Sequence, residues 1–147
     1  MRDGQEITVR SANEADIEAL CKLNAQLGYP ADCEVLKARV AFILNHPAHK
    51  LFVACVGGNV IGYVHGFEQR MLIMHPFVEV GSLVVDEAWR SKGVGKILMQ
   101  RIENWTKQQG CHLVLLHSNI VRERAHQFYL NFGYRLLKTS RVFIKDV

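Results

Sequence analysis

Apolar and polar positions along the chain predict a meander of strands followed by alternating helix and strand. Ile7 to Arg10 alternate as a short strand. Asn13 stands where a helix N-cap would, with Asp16 three residues on, and Ile17, Leu20, Leu23, Asn24 and Leu27 recur at helical spacing until Gly28. A second helix follows Asp32, turns Leu36, Val40, Ile43 and Leu44 inward, and stops before Pro47. Leu51 to Val56 reads as an apolar strand, Gly57-Gly58-Asn59 as a tight turn and Val60 to Phe67 as the returning strand. A loop containing Met74, His75 and Pro76 then leads to a strand from Phe77 to Val85. Downstream, Val94, Ile97, Leu98, Ile102 and Trp105 mark one face of a long helix closed by Gly110. Leu113 to Leu116 reads as a strand covered on both faces. Ala125, Phe128, Tyr129 and Phe132 form another helical stripe ending at Gly133, and Tyr134–Lys138 and Val142–Lys145 are expected as final strands. The fold class is α/β (α+β), a mixed sheet with helices packed on it, in a single domain over residues 1–147.

Composition narrows the class without naming a chemistry. The chain has 147 residues, 49% hydrophobic and 22% charged, which suits one domain and excludes a disordered polypeptide. No apolar run approaches the ~18 residues of a membrane span, and Met1 to Glu6 lacks the apolar stretch of a signal peptide, so a soluble cytoplasmic protein with no membrane partner is expected. Cys21, Cys33, Cys55 and Cys111 are widely spaced among apolar neighbours and read as four buried thiols of a reducing compartment. His46 and His49 flank Pro47 without a cysteine nearby and read as ordinary histidines; no metal site is expected. The net charge of +4 is small, so its location matters more than its size.

That location is a short glycine turn, Arg90-Ser91-Lys92-Gly93-Val94-Gly95-Lys96, between a strand and a long amphipathic helix. Glycines let backbone approach a ligand closely, and the N–H groups of a helix N-terminus suit a phosphate or pyrophosphate. Arg90, Lys92 and Lys96 add positive charge there; the alternative is a plain glycine turn with solvated cations. The segment is neither the G-x-x-x-x-G-K-[ST] of a nucleotide-cleaving loop nor the G-x-G-x-x-G of a dinucleotide fold.

Val84-Val85-Asp86-Glu87-Ala88-Trp89-Arg90-Ser91-Lys92-Gly93-Val94-Gly95-Lys96-Ile97-Leu98 resembles the acyl-CoA-binding motif of the GNAT N-acetyltransferase superfamily. Ala125-His126-Gln127-Phe128-Tyr129-Leu130-Asn131-Phe132-Gly133-Tyr134, at the expected distance, resembles that family's second motif. The order of elements from Ile7 to Val147 also fits. The resemblance implies a mostly antiparallel mixed sheet of six to seven strands, about four helices and splayed central strands around Val85 and Leu115. It implies acetyl-CoA as co-substrate, with backbone amides from Arg90 through Lys96 on the pyrophosphate. It also implies pairing of Leu83, Val84 and Val85, at a strand bulge, with the pantetheine arm. Ala125 and Phe128 belong to the second motif's cofactor side. Where the family often has an asparagine, three residues before the motif's alanine, this chain has Arg122, and Asn119 lies three residues earlier.

Acetyl transfer to an amine needs a neutral nucleophile. At pH 7 deprotonating a lysine-like ammonium of pKa about 10.4 costs roughly 4.6 kcal/mol, and a carboxylate can take that proton. Glu79 interrupts the apolar strand Phe77-Val78-Glu79-Val80-Gly81 and matches the offset at which several family members carry their base. The alternative is a glutamate paired with a surface cation. Glu68 is the second choice, and Asp86 and Glu87 read as turn and cap residues. Tyr129 is the candidate acid for the departing thiolate, with a core aromatic as the alternative. His117 and Ser118 end the apolar strand near the expected cleft, without the G-x-S-x-G of a nucleophile elbow.

The expected function is acetyl-CoA-dependent N-acetylation of a primary amine, with a small molecule as partner and a homodimer possible. The opening helices, with Leu27-Gly28-Tyr29-Pro30 between them, and the second motif resemble small-molecule members such as aminoglycoside 6′-N-acetyltransferases. The acceptor region is expected in the first two helices, the Glu68–Phe77 loop and the C-terminal strands. A peptide or protein amine is the alternative acceptor. A non-catalytic acyl-CoA-binding module would keep the glycine turn but need neither Glu79 nor Tyr129. A nucleic-acid partner is not expected, because the basic residues are scattered and the best cluster is already assigned.

Overall fold

The computed structural model describes residues 5–147. It divides into one unit ending at His117 and a second from Ser118 to Val147.

The first unit is a five-stranded sheet with helices on both faces. Its strands are β1 (Thr8–Ser11), β2 (His49–Val56), β3 (Asn59–Met71), β4 (Met74–Val85) and β5 (Val114–Leu116). Their spatial order is their chain order; β1 to β4 pair antiparallel and β5 pairs parallel to β4. Helix α1 (Ile17–Leu27) follows a 3₁₀ turn at Glu14–Asp16. Asn13 closes that turn with a capping box: its side chain accepts from Ala15 N–H, and Asp16 accepts from Asn13 N–H. Gly28, at φ 96°, ends α1, with Tyr29 N–H bonded to Asn24 C=O. Helix α2 (Cys33–Leu44) starts where Asp32 accepts from Glu34 N–H. Helix α3 (Val94–Gln108) is the crossover between β4 and β5.

Strand alternation sorts the core into two layers. Leu51, Val53, Cys55, Tyr63 and Val84 face α1 and α2, packing on Leu20, Leu23, Leu36 and Val40. On the other face Val64 and Val78 are fully buried, as are Leu98, Met99 and Ile102 of α3. Gly62 and Gly66 make room there: an added Cβ would lie 2.8 Å from Val84 C=O at the first and 2.8 Å from Ile102 Cδ1 at the second.

Several expectations need correction. Met74 to Pro76 are not a loop but the start of β4, and the β3–β4 hairpin turns at Leu72-Ile73. Pro76 is accommodated because the ladder shifts register between Gln69 and Met71. β5 is the edge strand and only half-buried, not covered on both faces. The cysteines are not four buried thiols. Cys21 of α1 and Cys33, the first residue of α2, form a disulfide with Cα atoms 5.8 Å apart, while Cys55 and Cys111 are buried and free. With two of the four cysteines bonded to each other, the cysteines no longer point to a reducing compartment.

The second unit carries α4 (Glu123–Asn131), closed at Gly133 with φ 93°. The sheet has five strands rather than six or seven, because Tyr134–Lys138 and Val142–Lys145 form none. Among the described residues this unit offers no strand to pair with, and a strand exists only through a ladder. Leu136, Leu137, Val142, Phe143 and Ile144 are accordingly exposed.

Candidate active site

The glycine turn begins where β4 ends. Asp86 accepts from Ala88 N–H at 2.9 Å and caps a 3₁₀ turn over Glu87–Trp89, so its carboxylate serves the turn, as expected. Arg90 then runs extended, its Nε donating to Val85 C=O at 3.3 Å. Ser91 (φ 62°) and Gly93 (φ 83°) are both left-handed, the first being the one described non-glycine residue with positive φ. A serine there costs about 1–2 kcal/mol relative to its ordinary conformations. Gly93 caps α3 without a side-chain hydrogen bond. Lys92 lies 5.3 Å from the Trp89 ring centroid, a cation–π distance.

Beside this turn the sheet opens. β4 pairs with β5 only through Val78, Glu79 and Val80, opposite Val114, Leu115 and Leu116. Beyond Val80, β4 stays bonded to β3 as far as Val85, opposite Gly62, while the ladder to β5 has ended. The open stretch therefore includes Leu83, Val84 and Val85, the segment singled out from the sequence. Two details differ. The bulge lies at Gly81, left out between the pairs His65–Ser82 and Gly66–Val80, and not at Leu83–Val85. A glycine there leaves room for the His65 ring, since an added Cβ would lie 2.9 Å from its Nδ1. Leu115 is still paired with Glu79, so the strands part after Leu116.

Glu79 sits opposite Phe67 on the α1–α2 face of the sheet, 22% exposed, with its Oε1 3.8 Å from His117 Nε2. Glu68 does not compete for this face. It points to the α3 side, accepts from Arg70 at 2.8 Å and lies 3.9 Å from the Cys111 thiol. Burial, with the Glu68 charge beside it, pushes that thiol's pKa up.

On the same face as Glu79, a cavity of about 580 Å³ lies between α1, α2 and strands β2 to β4. Sequence reasoning missed most of its polar lining. His49 Nδ1 and His65 Nε2 are 3.0 Å apart, and their rings stack with each other and with Phe67. Burial pulls His65 down to about 4 and lowers His49 too, so both are neutral at pH 7. Tyr63 donates to Asn24 Oδ1, and burial raises its pKa. Asn24 was visible as a polar residue in an apolar stripe; the histidines become neighbours only through the β2–β3 register, which pairs Leu51 with His65 and His49 with Phe67. Of the elements expected to form the acceptor region, the first two helices line this cavity, residues 68–77 belong to the β3–β4 hairpin, and the C-terminal strands do not form.

In the second unit, Asn119 Oδ1 accepts from Val121 N–H at 3.1 Å, so half of its amide is committed to the turn before α4. Arg122 stands at the N-cap of α4 without a side-chain cap. Ala125, Phe128 and Tyr129 are half-buried on one side of the helix. Tyr129 packs edge-on against Phe128 and Tyr134. Burial raises its phenol pKa, and the Arg122 charge opposes the shift. Ser118 Oγ is a buried hydroxyl without a hydrogen-bond partner.

Among the described residues no helix is long and apolar enough to cross a membrane, and no group of His, Cys, Asp or Glu is arranged to hold a metal. A family model described as "Acetyltransferase (GNAT) family" matches residues 16–134. The chain is 27% identical to the L-amino acid N-acetyltransferase AaaT of Escherichia coli, over 92% of this chain and 87% of that protein. It is 26% identical to an aminoglycoside N(6′)-acetyltransferase type 1 of Stenotrophomonas maltophilia, over 92% and 89%. Its fold matches, with a TM-score of 0.87 at 18% identity over 97% of this chain and 99% of the other, the structure of AAC(6′)-Iy in complex with a bisubstrate analogue of CoA and acetylneamine.

Proposed function

The chain belongs to the GNAT acetyltransferase family, and from that premise we propose that it moves the acetyl group of acetyl-CoA to the primary amine of a small molecule, residues 1–147 working as one N-acetyltransferase domain. The observation that carries the reading is the parting of β4 from β5 beyond Val80, next to the uncapped start of α3. Unpaired backbone at Leu83–Val85 can hydrogen-bond the amides of the pantetheine arm, as an added strand would. At the end of that slot, the backbone of Arg90 through Lys96 receives the pyrophosphate, and the left-handed residues Ser91 and Gly93 suit a concave run of N–H groups. Ala125 and Phe128 contact the cofactor from the second motif, with Asn119 and Arg122 as its polar contacts in place of the family's asparagine.

The reaction is a direct attack. The amine nitrogen bonds to the acetyl carbon, the carbon–sulfur bond breaks, the amine loses a proton and the thiolate gains one. Glu79 accepts the amine's proton, directly or through a water; it is a carboxylate on the cavity face of the sheet, with His117 Nε2 3.8 Å from its Oε1. Tyr129 gives its proton to the CoA sulfur. The phenol holds its proton throughout the neutral range and so has one to give. The products are an N-acetyl amide and free CoA thiol.

Thiol release from acetyl-CoA against a panel of amines tests the activity. Glu79→Gln lowers kcat by about 100-fold or more while acetyl-CoA binding is retained. An unchanged kcat between pH 6 and 9 removes Glu79 from the mechanism. Tyr129→Phe keeps the ring packing and lowers kcat; normal turnover by that variant removes the acid.

A further inference from the structure

The cavity between α1, α2 and the sheet is large enough for a small molecule, and its charge is one-sided. Its volume of about 580 Å³ falls within the range of small-ligand sites. Among the described residues lining it, Arg39 of α2 is the one side chain with a fixed charge, and there is no aspartate or glutamate. No ion pair engages Arg39 among the described residues. Its other polar groups are Asn24, Tyr63, Ser82 and the His49–His65 pair, and both histidines are neutral at pH 7. The rings of Phe42, His49 and His65 line it, with His49 5.3 Å from Phe42 and 5.2 Å from His65 between centroids.

We infer that the acceptor is an amine that carries its own carboxylate next to an apolar or aromatic side chain, and that Arg39 holds that carboxylate. The inference rests on the acetyltransferase reading and narrows its substrate class. A guanidinium can meet a carboxylate through two parallel hydrogen bonds, which fixes orientation as well as charge. Those rings take the apolar side chain, and the ligand's amine is then the one group left to be acetylated. A polycation such as an aminoglycoside or a polyamine fits badly. Its extra ammonium groups would meet the Arg39 guanidinium, while the described lining residues include no carboxylate to attract them. The same cavity offers a plain amine no ion pair.

The test compares acetyl transfer to L-phenylalanine, phenethylamine, spermidine and kanamycin, with acetyl-CoA binding followed separately by thermal shift. Phenylalanine is expected to exceed the other three in kcat/KM by about 10- to 100-fold, the discrimination of a site that binds a polar group its competitors lack or misplace. Arg39→Gln is expected to raise KM for phenylalanine at least tenfold with kcat nearly constant, and so to remove most of its advantage over phenethylamine. A merely structural arginine would weaken both amines together, and that outcome overturns the inference. Higher kcat/KM for spermidine or kanamycin also overturns it while leaving the acetyltransferase intact. If acetyl-CoA does not bind at all, the functional reading fails first and takes the inference with it. If acetyl-CoA binds but no amine turns over, calorimetry of phenylalanine with the CoA-loaded protein decides: binding weakened by Arg39→Gln supports the carboxylate site, and no binding refutes it.

Discussion

His65 holds its ring against Gly81, His49 and Phe67, and burial keeps its pKa near 4, well below its ordinary 6.5. Between those two values the unfolded chain binds a proton that the folded one refuses. The stabilisation from a neutral His65 is therefore complete above pH 6.5 and is lost as pH falls towards 4. The amount is on the order of 2–3 kcal/mol, and His49 acts in the same direction. Urea midpoints should fall between pH 7.5 and 4.5; equal midpoints would mean that the histidine pair accepts charge inside the fold. Asp16 works lower on the scale. Arg10 grips it through two hydrogen bonds of 2.8 Å and holds its carboxyl below the usual range, so its stabilisation is present above pH 3.8 and disappears below it. Arg10→Met leaves a buried carboxylate without its cation and should cost about 3 kcal/mol at pH 7 in the same measurement. Both groups show how far a residue's chemistry depends on its surroundings. Asp16 was legible as a capping partner of Asn13, since that relation spans three residues of chain, whereas the neutrality of His65 comes from neighbours on other strands.

At the scale of elements, the helices were legible wherever a cap stood beside a periodic stripe. Asn13, Asp32 and Gly28 end their helices through bonds to residues two to five positions away, so local sequence contains the whole interaction. The β3–β4 hairpin was not legible, because Leu72-Ile73 carries no glycine, asparagine or aspartate and Pro76 reads as a breaker. Its long ladder, not its turn, holds it together. The Cys21–Cys33 bond was equally hidden: it follows from how α2 returns beside α1. It closes the connection that carries Gly28 to Asp32 and pins the start of the helix bearing Arg39. Cys33→Ser should lower stability by about 3 kcal/mol, the loop-closure entropy of a short link. Denaturation with and without dithiothreitol measures it, and an identical midpoint for wild type and variant in the absence of reductant would exclude the bond.

For the first unit as a whole, the controlling feature is how closely α3 lies on the sheet. Gly62 permits it, with Val84 C=O, Leu98 Cδ1 and Val94 Cγ1 at 2.8, 3.3 and 3.4 Å from where a Cβ would be. Gly62→Ala must shift backbone on β4 and should cost about 1–3 kcal/mol. Gly66→Ala meets the flexible end of Ile102 first and should cost less. Thermal melts of the two variants compare them directly, and the reverse ranking would mean that α3 yields more easily than the β3–β4 ladder. The Gly62 contact also bears on the cofactor slot, because Val85, the partner of Gly62, is the last residue of β4 before the glycine turn.

By itself the sequence determined the helix caps, the mixed sheet with helices packed on it, the strand–turn–helix of the glycine motif and the family to which both motifs point. These are set by caps, periodicity and glycine placement, all of which act over a few residues. Tertiary structure alone decided the five-stranded sheet, the disulfide, the bulge at Gly81, the point at which β4 and β5 part and the chemistry of the cavity. Each of these depends on register or on packing between segments distant in the chain. A shift of one residue in register would turn His49, His65 and Glu79 to the other face of the sheet. The chain's excess of cations drew attention to the glycine turn. That the described residues lining the cavity include Arg39 and no carboxylate is a property of the fold.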